Sequence, residues 1–305
     1  MKSLCNKAEV MYKMLKKKLL VSLAVSICIT ACNASNTSSD LNMTFEQAEQ
    51  LRSQAEAAPS NSDEKKEYYK RLEPIYENLA KEGNSDAQLI LADIYFKALS
   101  GTYDTKKSFE WTKKSADNGN VSAMYNTGFK YYTGTGVQKS IENAKKYYLK
   151  AAKLNDVDAM GSIGSIYIEE GNIEEGLNYL KSAAEKNDAL SLFELGLIYC
   201  EGVVVKQDYK ICNNYWEKSA SLNNAEAALN LGINLINSNG ITKDVDRAIK
   251  YFELASKMSK GQASYNLGVI YSSPDYNKLN ESLSQFYFNK AYEQGISSAK
   301  EKIKQ

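Results

Sequence analysis

The chain contains no histidine, and this absence limits the chemistry that it can perform. Histidine is the most common general base and a frequent metal ligand, so the usual Ser-His and Cys-His nucleophile pairs are excluded. A glycine-rich phosphate loop is also missing, because Gly134-x-Gly136 lacks the third glycine and the strand–helix context. Acidic pairs such as Glu169-Glu170 are typical of solvated loops and helix ends. We therefore expect no catalytic residue, no bound metal and no cofactor.

The chain also has no large excess of positive or negative charge. The 38 basic residues are balanced by 37 acidic ones, which gives a formal net charge of +1. Because the chain has no basic stripe, we expect no nucleic-acid partner. Residues 1–31 carry six lysines and one glutamate, so their removal would change the formal charge from +1 to −4.

The N-terminus has the pattern of an export signal. The basic run Lys16-Lys17-Lys18 precedes an apolar stretch of 13 residues, 19–31, which is too short to span a bilayer. The stretch ends in Ile29-Thr30-Ala31-Cys32, which resembles the lipobox of bacterial lipoproteins. That resemblance implies a signal peptide at 1–31 and acyl chains on Cys32. An ordinary signal peptide with an incidental cysteine is the alternative.

The residues after Cys32 bear on where such a lipoprotein would reside. The polar segment 32–43 has no periodicity and is expected to be a flexible tether. Asn33, rather than an aspartate, follows the cysteine, and in lipoproteins this favours the outer membrane. The expected location is therefore the bacterial cell envelope, with the protein lipid-anchored and facing the periplasm.

A pattern of small and aromatic residues recurs along most of the chain. Its first small residue, which we call the marker, recurs at intervals of 36, 36, 32, 36, 36 and 36 residues, at Ala87, Ala123, Ala159, Ser191, Ala227, Ala263 and Ala299. Five residues after the marker stand Ala92, Gly128, Gly164, Gly196, Gly232 and Gly268. A fixed period of this length predicts stacked helical hairpins, each of which buries its apolar face against its neighbours.

The motifs within each period carry a family resemblance. A-x-x-x-L-G-x-x-Y, then G-x-G-V, then A-x-x-Y/W-x-x-K-A-A, resembles the Sel1-like repeat, a longer relative of the tetratricopeptide repeat. The resemblance implies an all-α fold, a right-handed α/α superhelical solenoid of helical hairpins. It divides the chain into an atypical N-terminal capping hairpin at 44–84, six repeats at 85–297 and a C-terminal capping segment at 298–305.

Local signals predict several element boundaries. Thr44-Phe45-Glu46-Gln47 is typical of a capping box that opens the first helix. Pro74 is expected to kink the second helix or to move its start, and Pro274 to end the first helix of the last repeat. Residues 298–305 are expected to begin a seventh first helix. Asparagines 155, 187 and 223 are expected to end second helices in the left-handed conformation.

Two cysteines, Cys200 and Cys212, remain after the N-terminal ones are set aside. Both belong to one predicted hairpin, the first near the end of its first helix and the second about one turn into its second helix. In an oxidising periplasm they could form a disulfide. The alternative is a pair of buried thiols, because Cys212 occupies the position of Ala144 and Ala248 in other repeats.

The first helices of such hairpins line the concave side of the solenoid, where the sequence predicts a binding groove. Its aromatic residues are more numerous than a solvated face needs, and grouped exposed aromatics mark partner sites. In tetratricopeptide repeats an inward asparagine holds the backbone of a bound peptide, and the resemblance assigns that role to three asparagines here. The alternative is packing and internal hydrogen bonding without a ligand. The candidate groove residues are Tyr125, Asn126, Phe129, Tyr132, Phe193, Leu229, Asn230, Ile233, Tyr265 and Asn266.

These features predict a membrane-anchored periplasmic scaffold that binds a partner protein or peptide and has no enzymatic activity. Resemblance to repeat lipoproteins that protect against secreted toxic lipases gives an alternative, an immunity protein whose partner is a toxin. A β-lactamase-like, penicillin-binding enzyme is the third reading. The cysteine-rich repeat proteins reported to bind penicillins carry a cysteine pair in nearly every repeat, and this chain has one such pair.

Overall fold

The computed structural model describes residues 41–304, and these residues contain α-helices and 3-10 helices without a strand. This confirms the all-α class and the tandem helical hairpins predicted from the repeat. The predicted signal peptide, Cys32 and most of the predicted tether lie outside the described residues. None of the helices within residues 41–304 has both the length and the apolar character needed to cross a membrane.

The helices follow one another along the chain as first and second members of hairpins. They are α1 (Phe45–Ala57), α2 (Asp63–Lys81), α3 (Ser85–Phe96), α4 (Thr105–Asp117), α5 (Val121–Thr133), α6 (Ile141–Lys153), α7 (Val157–Glu169), α8 (Ile173–Glu185), α9 (Ala189–Glu201), α10 (Tyr209–Ser221), α11 (Ala225–Asn237), α12 (Val245–Lys257), α13 (Gly261–Ser272) and α14 (Glu281–Glu293), with 3-10 helices η1 (Pro274–Tyr276) and η2 (Ser297–Lys302). The described residues form two compact units. Unit 1 comprises 41–123 with 135–137, and unit 2 comprises 124–134 with 138–304.

Unit 1 contains α1–α4, and its first helix begins at the predicted capping box. The Thr44 side chain accepts a hydrogen bond from the Gln47 amide, and the Gln47 side chain accepts one from the Thr44 amide. The expectation that Pro74 moves the start of the second helix is wrong. Helix α2 runs from Asp63 to Lys81 with Pro74 inside it, because the buried face formed by Leu72, Ile75, Tyr76 and Leu79 holds the helix together around the missing hydrogen bond.

A polar network fixes α1 on α2. The Tyr76 hydroxyl donates to Glu49 at 2.5 Å, and Arg52 forms an ion pair with the same carboxylate. The Arg52 hydrogen bond, followed by that from Tyr76, holds the pKa of Glu49 below its ordinary value against the opposing effect of burial. The network therefore supports a capping hairpin whose own apolar face is small.

Unit 2 contains five hairpins, α5–α6 to α13–α14, and glycine lets the helices of each hairpin approach closely. A Cβ atom added at the glycine of the first helix would lie 2.3 to 2.8 Å from a side-chain atom of the second. The facing side chains are large in every hairpin, which explains why the first helix carries glycine there. The pairs are Gly128 with Tyr148, Gly164 with Leu180, Gly196 with Trp216, Gly232 with Phe252 and Gly268 with Phe288.

Stacked rings and left-handed caps repeat with the same period. Four hairpins of unit 2 stack one ring from each helix, with centroids 5.8 to 6.0 Å apart: Tyr131–Tyr147, Tyr167–Tyr179, Tyr199–Tyr215 and Tyr271–Tyr287. The predicted left-handed caps are confirmed, because Asn155, Asn187 and Asn223 have φ values of 66°, 62° and 62°.

The end of unit 2 differs from the expectation in part. Helix α13 ends at Ser272, just before Pro274, as predicted. The segment expected to begin a further α-helix instead forms η2, a 3-10 helix at Ser297–Lys302. The short turn still buries Ala299 beside Phe288.

The glycine contact gives a testable prediction for Gly232→Ala. Alanine has a higher helix propensity by up to about 1 kcal/mol, but its Cβ would lie 2.6 Å from the Phe252 ring. Overpacking of this kind costs about 1 to 3 kcal/mol, so we expect a net loss in the free energy of urea unfolding. The control is a double-mutant cycle with Phe252→Leu, in which the two losses should be less than additive. Full additivity would contradict a direct clash.

Candidate functional site

The candidate site is the face of unit 2 formed by the first helices α5, α7, α9, α11 and α13, which we call the first-helix face. It consists of the residues two, three and six positions after each marker. Consecutive first helices lie side by side there. The Ser165 hydroxyl of α7 donates to the Glu194 carboxylate of α9 at 2.6 Å, and the Asn234 amide of α11 lies 3.7 Å from the Cys200 sulfur of α9.

The aromatic residues predicted for the groove are less exposed than the sequence suggested. Tyr125, Phe193 and Tyr265 each pack on a ring of their own hairpin, with centroids 5.6, 6.2 and 5.5 Å from Tyr148, Trp216 and Phe288. They are half-buried and present one edge to the face. These rings therefore contribute to hairpin packing as well as to the surface.

Three other predicted groove residues have different environments. Phe129 is 48% exposed and is the most accessible of the predicted aromatics. Tyr132 is half-buried, with the Lys139 ammonium 5.5 Å from its ring centroid. The inclusion of Leu229 needs correction: it is 8% exposed and belongs to the core between α11 and its neighbours, so a partner would not reach it. The apolar ladder continues into the core at this point because adjacent first helices cover it.

The asparagine positions keep their polar groups at the surface. Asn126, Asn230 and Asn266 are half-buried at the same position of three repeats. The side-chain oxygen Oδ1 of Asn266 accepts a hydrogen bond from the side-chain nitrogen Nε2 of Gln262 at 3.0 Å. Within residues 41–304, the Asn126 and Asn230 side chains have no hydrogen bond. Amides that both donate and accept, without an internal partner, suit pairing with a peptide backbone.

Glu194 occupies the same repeat position as these asparagines, and the sequence analysis did not identify it. Burial raises the pKa of Glu194, and the negative charges of Glu169 and Asp188 raise it further, against the lowering effect of the Ser165 hydrogen bond. On α7, burial followed by neighbouring aspartates raises the pKa of Asp158 in the same way. The register alone, three residues after marker Ser191, could have pointed to Glu194.

The middle of the first-helix face is therefore acidic and uncompensated. In the described part of the chain, neither Glu194 nor Asp158 forms an ion pair. Acidic residues elsewhere in unit 2 do find cations: the pairs are Glu170–Lys145, Glu217–Arg247, Glu226–Lys260 and Asp246–Lys278. A carboxylate that is partly desolvated without a cation is unfavourable for the folded chain and favourable for a cationic ligand.

A pocket opens on the same face between α11, α13 and η1, and we call it the α11–α13 pocket. Its volume is about 180 Å³. Two of the predicted groove residues, Ile233 and Asn266, line it. The other lining residues are Ile236, Asn237, Phe252, Val269, Ile270 and Tyr276. The sequence pattern did not indicate Asn237 or Tyr276, because both lie at or beyond the ends of their helices, outside the positions that repeat most regularly.

Cys200 and Cys212 form a disulfide in the structure, with their Cα atoms 5.3 Å apart. The bridge ties α9 to α10 within one hairpin, and Cys212 is fully buried. A chain of side-chain amides lies beside it: Asn234 donates to Asn213 at 2.7 Å, and Asn213 donates to the Asn239 carbonyl at 2.7 Å. This buried network links the bridged hairpin to the loop of the next one.

Comparison with protein-family models explains the periodicity. The Sel1 repeat model matches six segments that together cover more than half of the chain, 85–120, 121–156, 160–188, 189–224, 225–260 and 261–296. The chain belongs to the Sel1 repeat family. Sel1 repeat proteins generally mediate protein–protein interaction, and their scaffold is typically non-enzymatic.

Solved Sel1 repeat structures share this fold. A Sel1 repeat protein from Oxalobacter formigenes is 24% identical, and the match covers 82% of this chain and 99% of that one with a TM-score of 0.70. A protective antigen of uropathogenic Escherichia coli is also 24% identical over 76% of this chain and 50% of that one, with a TM-score of 0.62. At this level of identity the similarity establishes the fold alone.

Curated relatives match over shorter segments. The chitin synthase regulator SKT5 of Saccharomyces cerevisiae is 28% identical over 112 residues, which is 37% of this chain and 16% of the yeast protein. The human protein sel-1 homolog 2 is 32% identical over 78 residues, 26% of this chain and 11% of the human one. This Sel1 repeat chain therefore aligns with only a small part of each of these two relatives.

The environment of Glu194 gives a prediction for the Sel1 repeat chain. A carboxyl whose pKa is raised in the folded state favours folding when protonated, and this contribution is lost as the pH rises from 4.5 through the folded pKa. Glu194→Gln should therefore raise the free energy of unfolding at pH 7, because Ser165 can donate equally to the amide oxygen. The gain should shrink towards pH 4, where the parent carboxyl is protonated.

The matched control for this substitution is Glu201→Gln, on the same helix but exposed. It should leave the unfolding free energy within about 0.5 kcal/mol of the parent value at both pH values. Urea unfolding at pH 7 and pH 4 provides the measurement. A Glu194→Gln variant that is less stable than the parent at pH 7 would contradict the proposed absence of a compensating cation.

Proposed function

We propose that this Sel1 repeat protein is an interaction scaffold that binds a segment of a partner protein on the first-helix face of unit 2. The observation that carries the proposal is the alignment of Asn126, Asn230 and Asn266 at one repeat position, half-buried and on the same face as the α11–α13 pocket. Side-chain amides at a regular spacing suit a peptide backbone, whose polar groups also repeat regularly.

The polar and apolar groups would contribute differently to the free energy of binding. Each amide–backbone hydrogen bond contributes about 1 kcal/mol net, so three of them set orientation and register more than affinity. Apolar contact supplies the larger share, at about 25 cal/mol per Å² buried. Phe129 and the α11–α13 pocket offer such contact at two separated points of the face. A partner segment long enough to reach both would bind more tightly than either contact alone permits.

Charge selects among partner segments. The uncompensated carboxylate of Glu194 lies on the first-helix face, and that of Asp158 lies in the first turn of α7, both between Phe129 on α5 and the α11–α13 pocket along the chain. A partner that places a lysine or arginine there recovers the interaction that the folded chain lacks internally, whereas an acidic segment meets repulsion. The partner proposed is therefore a protein segment with a central cation and apolar residues on either side.

The location is part of the proposal and depends on the N-terminal sequence. Acylation of Cys32 would hold the protein at the bacterial envelope, and two or three acyl chains are needed for stable anchoring. The tether at 32–43 would let the repeats reach partners near the membrane, where confinement raises their effective concentration. Asn33 favours the outer membrane, with the repeats facing the periplasm.

We propose a binding role without catalysis, in keeping with a Sel1 repeat scaffold that is typically non-enzymatic and a chain that has no histidine to serve as a general base. The penicillin-binding alternative predicts nitrocefin hydrolysis by the full chain. The immunity alternative concerns the identity of the partner, a secreted toxin, and predicts that cells lacking this gene die when that toxin arrives.

The amide positions provide the test of partner binding. Changing Asn126, Asn230 and Asn266 together to alanine removes up to about 3 kcal/mol, so recovery of the cross-linked partner from intact envelopes should fall by about 10- to 100-fold. The matched control changes the exposed second-helix asparagines Asn178, Asn214 and Asn289 to alanine and should keep the partner. Equal recovery with both triple variants would refute the first-helix face as the binding surface.

Anchoring is tested separately at Cys32. Cys32→Ser removes the acylated sulfur, so the protein should move from the membrane fraction to the periplasmic fraction released by osmotic shock. Labelling with an alkyne fatty acid should disappear in the same variant. Cys212→Ser, which removes a cysteine far from the N-terminus, should retain both label and fractionation. A parent protein that is released by osmotic shock without label would refute the anchor and leave the binding proposal unaffected.

A further inference from the structure

The α11–α13 pocket has features that go beyond a general binding face. We propose that it accepts one uncharged aromatic side chain of phenylalanine size from the partner segment. This inference deepens the proposed function and depends on it. Three features of the pocket indicate this occupant: the residue that forms its wall, its size and lining, and the polar groups at its opening.

One wall of the pocket comes from an aromatic residue that only the last hairpin carries at its position. Tyr276 stands thirteen residues after marker Ala263, and glycine stands at that distance after Ala123 and Ala227. In the hairpin before it, a Cβ atom on Gly240 would lie 2.4 Å from Tyr209, so the turn there leaves no room for a side chain. In the last hairpin Pro274 ends the helix and a 3-10 turn follows, so the Tyr276 ring becomes a wall of the pocket.

The dimensions match one ring. The pocket volume is about 180 Å³, and a protein cavity of roughly 150 Å³ lined by aliphatic and aromatic side chains binds benzene. Isoleucine, valine and phenylalanine side chains form most of the lining: Ile233, Ile236, Phe252, Val269 and Ile270. No lysine, arginine, aspartate or glutamate lines it, so a charged occupant would lose its hydration without compensation.

The polar groups lie where the backbone of the occupant would pass. Asn237 and Asn266 line the same pocket, and the Asn266 carbonyl oxygen already accepts from Gln262, which leaves its NH₂ group to donate outward. The Lys243 ammonium lies 5.6 Å from the Tyr276 ring centroid, and a contact of this kind orients the ring. The side chain of the partner residue would therefore enter the pocket while its peptide carbonyl accepts from Asn266.

N-acetyl-phenylalaninamide is the probe, because it carries one ring and two peptide groups. We expect it to shift the side-chain amide NMR signals of Asn237 and Asn266 saturably when titrated into the labelled full chain carrying Cys32→Ser. N-acetyl-lysinamide should produce no saturable shift at the same concentrations. Failure of the phenylalanine probe to move either signal, or equal shifts with both probes, overturns the inference.

Two variants and one control distinguish probe binding in the pocket from non-specific binding elsewhere on the protein. Val269→Phe fills the pocket and Tyr276→Gly restores the glycine found at that position in other repeats, and each should weaken probe binding at least tenfold. Leu197→Phe places the same bulk at the matching position of α9 and should leave binding within twofold. Because Tyr276 lies in the η1 turn outside the α-helices, Tyr276→Gly tests the pocket even if Val269→Phe fails to fold. Unchanged binding in the Tyr276→Gly variant overturns the inference.

A selection from a random peptide library distinguishes this inference from the broader proposal. Selected peptides that lose binding in the triple asparagine variant should share one phenylalanine or tyrosine, and replacing it by alanine should cost at least tenfold in affinity. Peptides that depend on the asparagines but share no aromatic residue would overturn the pocket assignment and leave the binding face intact. A selection that yields no binding peptide would count against the proposed function itself.

Discussion

The structure of unit 2 depends on one contact, the approach of a glycine on each first helix to a large side chain on its partner. Glycine at this point costs helix stability, about 1 kcal/mol relative to alanine. The contact offsets that cost, because the Tyr148, Leu180, Trp216, Phe252 and Phe288 side chains are buried against a backbone that a Cβ would have held away. In four of the five hairpins a pair of stacked rings, one from each helix, also holds the two helices together. These contacts lie within each hairpin and do not involve its neighbours.

The other side of each first helix is less constrained. The glycine contacts the second helix, and in three hairpins the ring two positions after the marker packs on the second helix as well. The side chains three and six positions after the marker lie on the first-helix face and can vary more between repeats without loss of the hairpin. The observed variation is not uniform: asparagine recurs at one position, carboxylates occupy the middle, and a pocket opens near the end. Variation of this kind on a regular scaffold is what a binding surface requires.

The sequence predicted the repeat, the hairpins and the caps well, because these depend on local signals that recur. It placed Ile233 and Asn266 on the face where the pocket lies, since period alone fixes the side of a helix. The prediction for Leu229 was wrong because the repeat period indicates which side of the helix a residue is on, but not how far a neighbouring helix buries its side chain. Of the two expectations for Pro74, the moved helix start was wrong, because the packing of α2 outweighs a local signal, and the kink stays a prediction. Tyr276 and Glu194 were not predicted for a different reason: each residue type occurs at its position in one repeat alone, and its effect depends on where the neighbouring elements lie.

Tyr276 and Glu194 have a physical feature in common. Tyr276 takes the position that Gly240 holds in the preceding hairpin, and its ring forms one wall of the α11–α13 pocket. Glu194 takes a position where three other repeats carry asparagine, and it buries a carboxylate beside other acids. Glu194 does not improve the electrostatics of the isolated chain, since a partly buried carboxylate without a cation lowers stability. Both residues lie away from the glycine contacts that hold the helices of each hairpin together. A bound segment carrying a cation would offset the cost of Glu194, and an aromatic residue of the same segment would contact Tyr276, so the binding proposal explains why local exceptions occur here and not among the glycine contacts.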